Sequence, residues 1–414
     1  MSFNAPKSTQ LILLASVAAT GMGQTLVFAI LPSLGRAAGM ADISVGLIIS
    51  CSALMFALAS PVWGRLSEHL GRKPVLVIGL TGYTLGTALF ATIFWWGISG
   101  VLTGALLLTL LIIARVLQAA IMAATPPAGA AYMADITTPE TRTKGMGRIG
   151  AAHNLGTVVG PALGGLLAMI SLVAPLYIAA AVTALMAIWV AIGLRESPWI
   201  IERGPLDVRF STAEALRAGF ASYMDRRLLD VLVLGVAMFL AFAMVQQTLG
   251  FMYQDRLGMS PVDAAGGVGI AMMFAALSSL LAQAVIVQKL GWPPESLLRL
   301  GIPLMAVGVV LLLWAPNQLW VTLSVIALGL GLGLGMPGVS SAASLRVGPH
   351  EQGAVAGLMS ACPALGFILG PVFGTGLYQL NPILPYAVVS VLMLPLLVMV
   401  RGLKGRDSGL GTRE

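Results

Sequence analysis

The sequence predicts an all-α integral membrane protein, with twelve transmembrane helices in two pseudo-symmetric six-helix halves. Three observations predict it. Hydrophobic residues make up 58% of the 414 residues and charged residues only 9%, which leaves no polar shell for a water-soluble domain of this size. Apolar runs long enough to cross about 30 Å of hydrocarbon recur along the chain. One stretch, Gly156 to Gly165, reads G-T-V-V-G-P-A-L-G-G, and its spacing returns 210 residues later as Gly366, Gly370, Pro371 and Gly374. Pro127 and Pro337 differ by the same 210. A repeat of this size in an apolar chain points to a transporter built from two related halves.

Gly156, Gly160 and Gly164 fall four residues apart, so on a helix they form one smooth stripe that a neighbouring backbone can approach closely. Pro161 removes a backbone donor beside that stripe. In water each interior Gly costs about 1 kcal/mol against Ala and a Pro about 3 kcal/mol. In lipid, with partner helices alongside, both are tolerated.

In chain order, a polar lead from Met1 to Gln10 precedes an apolar run from Leu11 to Leu34. The run continues past the small residues around Ala18, which reads as an uncleaved first span and not a signal peptide. Gln24 within it lines a cavity or bonds a neighbouring helix. The second span runs from Ile43 to Trp63 and ends in G-R-L-S-E-H-L-G-R-K-P, Gly64 to Pro74. Gly64 and Gly71 suit tight turns at helix ends, and Arg72 and Lys73 put positive charge on a cytoplasmic loop.

The third span fills Val75 to Trp96 and the fourth Val101 to Ala134. Arg115 lies inside the fourth, where an Arg costs about 2.5–3.5 kcal/mol on insertion scales and so should face a partner or a wet cavity. Gln118, three residues on, shares its helix face. The segment Asp135 to Lys144 returns the chain as a loop. The fifth span then carries His153 and Asn154 ahead of the glycine stripe; an intramembrane His can titrate near neutral pH or serve as a hydrogen-bonded packing residue. The sixth span covers Leu172 to Leu194. Arg195 to Arg227 is the one long polar segment, a linker with a short amphipathic surface helix.

The second half repeats the plan. Its spans run from Leu228 to Tyr253, carrying Gln246 and Gln247, then Ala264 to Val287, Leu297 to Trp314 and Leu319 to Ser344. The loop Lys289 to Pro294 is a worn counterpart of the Gly64 loop. The tenth span contains G-L-G-L-G-L-G-M-P-G, read as flexibility and not as a phosphate loop. The eleventh bears the second stripe, and the twelfth ends near Val400 before Arg401, Lys404 and Arg406. The expected organisation is therefore 1–194, a cytoplasmic linker 195–227, 228–401 and a cytoplasmic tail 402–414.

Of the 23 Lys and Arg, only Arg36 and Arg256 fall on the side away from the termini and Arg115 lies in a span, so both termini are expected in the cytoplasm. The net charge of +7 follows from that bias and does not indicate nucleic acid. Cys51 and Cys362 sit in apolar segments as packing residues. A membrane enzyme would need a nucleophile–base set or metal ligands, and three His without ligand spacing and no H-E-x-x-H argue against one. No cofactor and no catalytic residue are expected. No Asp or Glu lies deep in a span: Asp42, Asp255 and Asp263 fall at outer ends, Asp135 and Asp230 at inner ones.

These motifs resemble the major facilitator superfamily, in its twelve-helix drug:proton antiporter branch, over essentially the whole chain. Gly64 to Lys73 is similar to the loop signature G-x-L-x-D-x-x-G-R-K, with Glu68 where Asp is usual. The stripe Gly156, Gly160, Pro161, Gly164 and Gly165 resembles the antiporter motif of the fifth helix. Arg115 and Gln118 resemble the R-x-x-Q of the fourth, with Ala119 where Gly is usual. The resemblance implies a gating loop in which Glu68 caps the eleventh helix and Arg72 pairs with Asp135. It also implies proton-coupled efflux of small amphipathic molecules by alternating access, in the inner membrane, by a monomer. Protons and a small-molecule substrate are the expected partners within the lipid bilayer. Export of one metabolite or siderophore, and proton-coupled uptake, remain open as alternatives. Gln24, Arg115, Gln118, His153, Asn154, Gln246 and Gln247 are the candidate pathway residues. Of these, Arg115 suits an anionic substrate group, and His153 or the end-of-helix Asp135 suits proton linkage.

Overall fold

The computed structural model describes residues 7–197, 200–201, 227–347 and 352–402, among which there is no strand. The helices are α1 Lys7–Ala37, α2 Asp42–Leu70, α3 Arg72–Ile98, α4 Gly104–Met122, α5 Thr125–Asp135, α6 Pro139–Ala168 and α7 Ala174–Gly193. After the linker come α8 Leu229–Asp255, α9 Pro261–Ala282, α10 Pro294–Trp314, α11 Gln318–Ser344, α12 Gln352–Leu380 and α13 Leu384–Gly402. Residues 202–226 of the expected linker, with its surface helix, and the tail beyond Gly402 lie outside the described residues.

Among the described residues nine runs are long and apolar enough to cross a membrane, with α4 and α5 counted together as Gly104–Asp135. The shorter apolar Leu384–Val400 and the two helices bearing the glycine–proline stripes, α6 and α12, bring the spans to twelve. Contacts divide the chain into two compact units, Met1–Met40 with Cys51–Gly219, and Ala41–Ser50 with Phe220–Glu414.

In the first unit α1 packs most extensively on α6, and α3 on α7 and α4. Its core gathers Leu13 from α1, Val75, Leu76 and Leu80 from α3, Ala128 and Tyr132 from α5 and Val190 from α7, all essentially inaccessible. In the second unit α8 packs on α12, while α11 is gripped by both α9 and α10.

The structure redraws four expectations. The fourth span is not continuous: it turns at Ala123–Ala124 between α4 and α5, because Pro126 and Pro127 at the start of α5 lack the N–H groups that would close the preceding turn. Gly64 marks no turn. It lies inside α2, which runs to Leu70, since nothing from Arg65 to Leu70 breaks a helix; only Gly71 takes a positive φ, +100°. The return loop Asp135 to Lys144 is also shorter than expected. A capping box between Thr138 and Thr141, with Pro139 in the first turn, starts α6 there.

The tenth-span glycines form the fourth correction. Each is occupied by a neighbour where looseness was expected. An added Cβ would lie 2.8 Å from Ala275 Cα at Gly329, 2.8 Å from Met305 N at Gly331 and 2.7 Å from Ser279 Cα at Gly333. Alternating glycines thus let α9 and α10 approach two different sides of α11.

Candidate functional site

The loop motif folds around Arg72, the first residue of α3. Its guanidinium Nε donates to Asp135 Oδ2 at 3.1 Å and its Nη1 to Ser67 Oγ at 2.6 Å. Ser67 in turn donates to Gly64 O at 2.6 Å, and Asp135 Oδ2 also accepts from Ser197 Oγ at 2.8 Å. The side chains of Arg72 and Asp135 are 6% and 12% exposed. A pair so far removed from water needs hydrogen bonds beside the ion pair itself, and Ser67 and Ser197 each supply one. Glu68 is exposed and Lys73 is half-buried. Ser67 and Ser197 were not among the expected site residues. A serine is too common in helices to be singled out without its partner in view.

Within α4, Arg115 is 4% exposed and Gln118 1%. Arg115 Nη1 donates to Gln118 Oε1 at 2.5 Å, and the guanidinium carbon sits 5.5 Å from the centre of the Phe90 ring. Gln118 Nε2 is shared between Thr87 Oγ1 and Tyr83 O. Gln118 can take that place because α3 has Gly86 opposite it, where a Cβ would lie 2.6 Å from Gln118 Cγ. The cation has an amide and an aromatic face but, among the described residues, no carboxylate. Its Nε has no hydrogen-bond partner. A permanently charged group left short of acceptors in an apolar half is poised to take an anion or a strong dipole.

The glycine stripe of α6 lies against the backbone of α1. Carbons added at Gly156 would meet Ala18 O and Met22 N, at Gly160 Met22 O and Leu26 N, and at Gly164 Leu26 O at 2.9 Å. Pro161 and Gly165 are buried beside them. The second stripe repeats the arrangement on α8, with Gly366 against Leu240, Gly370 against Leu240 and Met244, and Gly374 3.0 Å from Met244 Cα. The stripes are offset by 210, yet their partners Met22 and Leu26 correspond to Leu240 and Met244, an offset of 218 (240 − 22 = 244 − 26 = 218). The repeat is therefore one of helix packing, with eight residues more (218 − 210 = 8) between α6 and α8 than a rigid sequence copy would have.

His153 lies one turn before the stripe on the same contact. A Cβ on Gly21 would lie 2.7 Å from His153 O and 3.0 Å from its Nδ1. Asn154 and Gln24 are half-buried. No hydrogen bond or ion pair joins His153 to Arg115 among the described residues, so the structure does not gather these two candidates. In the second unit Gln246 is 5% exposed and Gln247 inaccessible. Gln246 Oε1 and both polar atoms of Gln247 have no partner. Burying an amide unpaired is costly, and in α8 this happens at two consecutive residues.

A family model described as Major Facilitator Superfamily matches residues 13–371. The chain is 26% identical over 402 residues to Multidrug resistance protein 2 of Bacillus subtilis (strain 168), covering 95% of this chain and 94% of the relative. It is 29% identical over 381 residues to the class C Tetracycline resistance protein of Escherichia coli, covering 89% of each. The crystal structure of the nucleoside transporter NupG superposes with a TM-score of 0.74 at 14% identity, over 96% of this chain and 98% of that one.

Proposed function

The chain belongs to the Major Facilitator Superfamily and is a membrane-spanning transporter of small molecules, not an enzyme, and from that premise we propose that it exports small amphipathic molecules in exchange for protons. The single observation that carries the export reading is the α6 stripe seated on the α1 backbone, the arrangement expected of an antiporter-type fifth span. The near full-length similarity to multidrug and tetracycline resistance proteins supports the same reading.

In this account substrate binds within the membrane and the two halves expose it alternately to each side. Arg115 and Gln118 offer donors and an acceptor in the first half, and Gln246 and Gln247 in the second. Arg72 and Asp135 hold the inner end of the first half in the geometry of one state, with Glu68, Gly71 and Lys73 completing the gating loop. The transporter sits in the cytoplasmic membrane as a monomer with both termini inside.

The test is transport by inside-out vesicles over a panel that includes tetracycline, ethidium and anionic dyes, each at several external pH values. Accumulation of at least one amphipathic compound supports the proposal. Movement of none of them, with export of a single polar metabolite instead, replaces it with the dedicated exporter.

A further inference from the structure

The short segment after α7 is fastened at three consecutive residues. Arg195 O accepts from Tyr132 Oη at 2.9 Å. The Glu196 carboxylate accepts from Arg72 N at 2.9 Å and from Lys73 N at 3.3 Å, and folds back on Ser197 N at 2.7 Å. Ser197 Oγ donates to Asp135 Oδ2 at 2.8 Å.

The first turn of α3 needs such a partner. A helix leaves its first backbone N–H groups unsatisfied and carries partial positive charge there, and α3 begins after Gly71 with no side chain of its own turn capping it. Glu196 supplies that cap from 124 residues further along the chain. Gly71 makes room for it. Its φ of +100° suits glycine, and a Cβ there would lie 3.1 Å from Glu196 Cδ, with Oε2 closer still. Among the described residues the partners of Glu196 are backbone N–H groups and not a cation, which is why matching charges along the sequence does not reveal it.

We propose that Glu196 is a positioning residue for transport: it caps α3, so that Arg72 is presented to Asp135 and Ser67, and it clasps the start of the inter-half linker onto the gating loop. The proposal rests on Gly64 to Lys73 being that loop. The chain that leaves the first half is tied, through one carboxylate and one serine, to both members of the Arg72–Asp135 pair. A pull on the linker therefore acts on the gate directly.

The experiment uses the full-length protein in phospholipid vesicles, as wild type, Glu196→Ala, Glu196→Asp, Gly71→Ala and the Glu196→Ala/Gly71→Ala double variant. Hydrogen exchange is read at the amides of Arg72 and Lys73, together with turnover of tetracycline and ethidium under an imposed pH gradient. The Glu196→Ala and Gly71→Ala amides should exchange about fivefold faster, as loss of a helix cap dictates. The double variant should be no worse than either single, and Glu196→Asp should recover part of the protection. Turnover should fall in parallel with KM unchanged, and recover in Glu196→Asp.

Unchanged exchange in Glu196→Ala, or multiplied effects in the double variant, overturns the clasp. Faster exchange with wild-type turnover overturns the positioning role. If wild type moves neither probe, the drug-export reading fails while exchange still decides the clasp.

Discussion

Arg72 Nε and Asp135 Oδ2 lie 3.1 Å apart where α3 begins and α5 ends, in side chains almost withdrawn from solvent. Removing one member leaves the other charge buried and unpaired, which typically costs about 3–5 kcal/mol, whereas neutralising both is far milder. Arg72→Ala and Asp135→Ala should each insert in the membrane yet lose transport and melt earlier in detergent. Arg72→Gln combined with Asp135→Asn should regain most of the thermal stability but not the transport. Equal stability of the single and double variants would show that the pair contributes nothing. Glu68→Ala should reduce transport without a change in melting, because its side chain is exposed.

The α6 stripe makes a graded prediction. A methyl group at Gly156 or Gly160 would overlap the α1 backbone deeply, at Ala18 O and Met22 O, while one at Gly164 meets that backbone less closely, at Leu26 O 2.9 Å away, and then the movable Leu26 Cγ at 3.2 Å. Gly164→Ala should therefore be the mildest of the three, and Leu at any position should stop turnover, given that overpacking costs about 1–3 kcal/mol even for small additions. Comparable turnover in all three Ala variants would indicate that α1 and α6 separate freely during the cycle.

How much of this was legible in advance depended on how far away each cause lay. The stripes, the spans and the Arg115–Gln118 pair follow from local spacing, so reading the chain finds them. The turn at Ala123–Ala124 also had a local signal, the adjacent Pro126 and Pro127, which the apolar run masked. Other features have distant causes. The start of α3 depends on Glu196, more than a hundred residues away, and the glycines of α11 acquire meaning only when α9 and α10 lie against them. Gly64 fits the loop signature as well as Gly71 does, yet only Gly71 has a positive φ; a motif identifies residues without saying which of them bends the chain.

Arg115 is held by the Gln118 amide and the Phe90 face at once, a planar, forked arrangement that an ammonium cannot reproduce. Arg115→Lys should lose at least tenfold in affinity for anionic substrates, equal to about 1.4 kcal/mol, and Arg115→Ala should abolish their binding. Cationic substrates should be affected less. Competition by anionic and cationic dyes in vesicles measures the difference, and equal losses for both would remove Arg115 from substrate recognition.

For His153 the two available roles separate cleanly by pH. If it links protons to transport, His153→Gln should flatten the pH dependence of export while leaving protein levels intact. Its packing against Gly21 gives the competing outcome, in which the variant exports with the wild-type pH profile and is merely less stable. That result would move the linkage to Asp135 or Asp42.

The central claim, proton-driven export, is tested most directly by imposing and then dissipating the driving force on one preparation. Inside-out vesicles containing the transporter are given an acid-interior pH gradient, and tetracycline and ethidium accumulation is followed before and after a protonophore. The account predicts accumulation that grows with the gradient, collapses on its dissipation and is absent with Arg72→Ala. Accumulation that ignores the gradient, or net movement outward from the same vesicles, would contradict it.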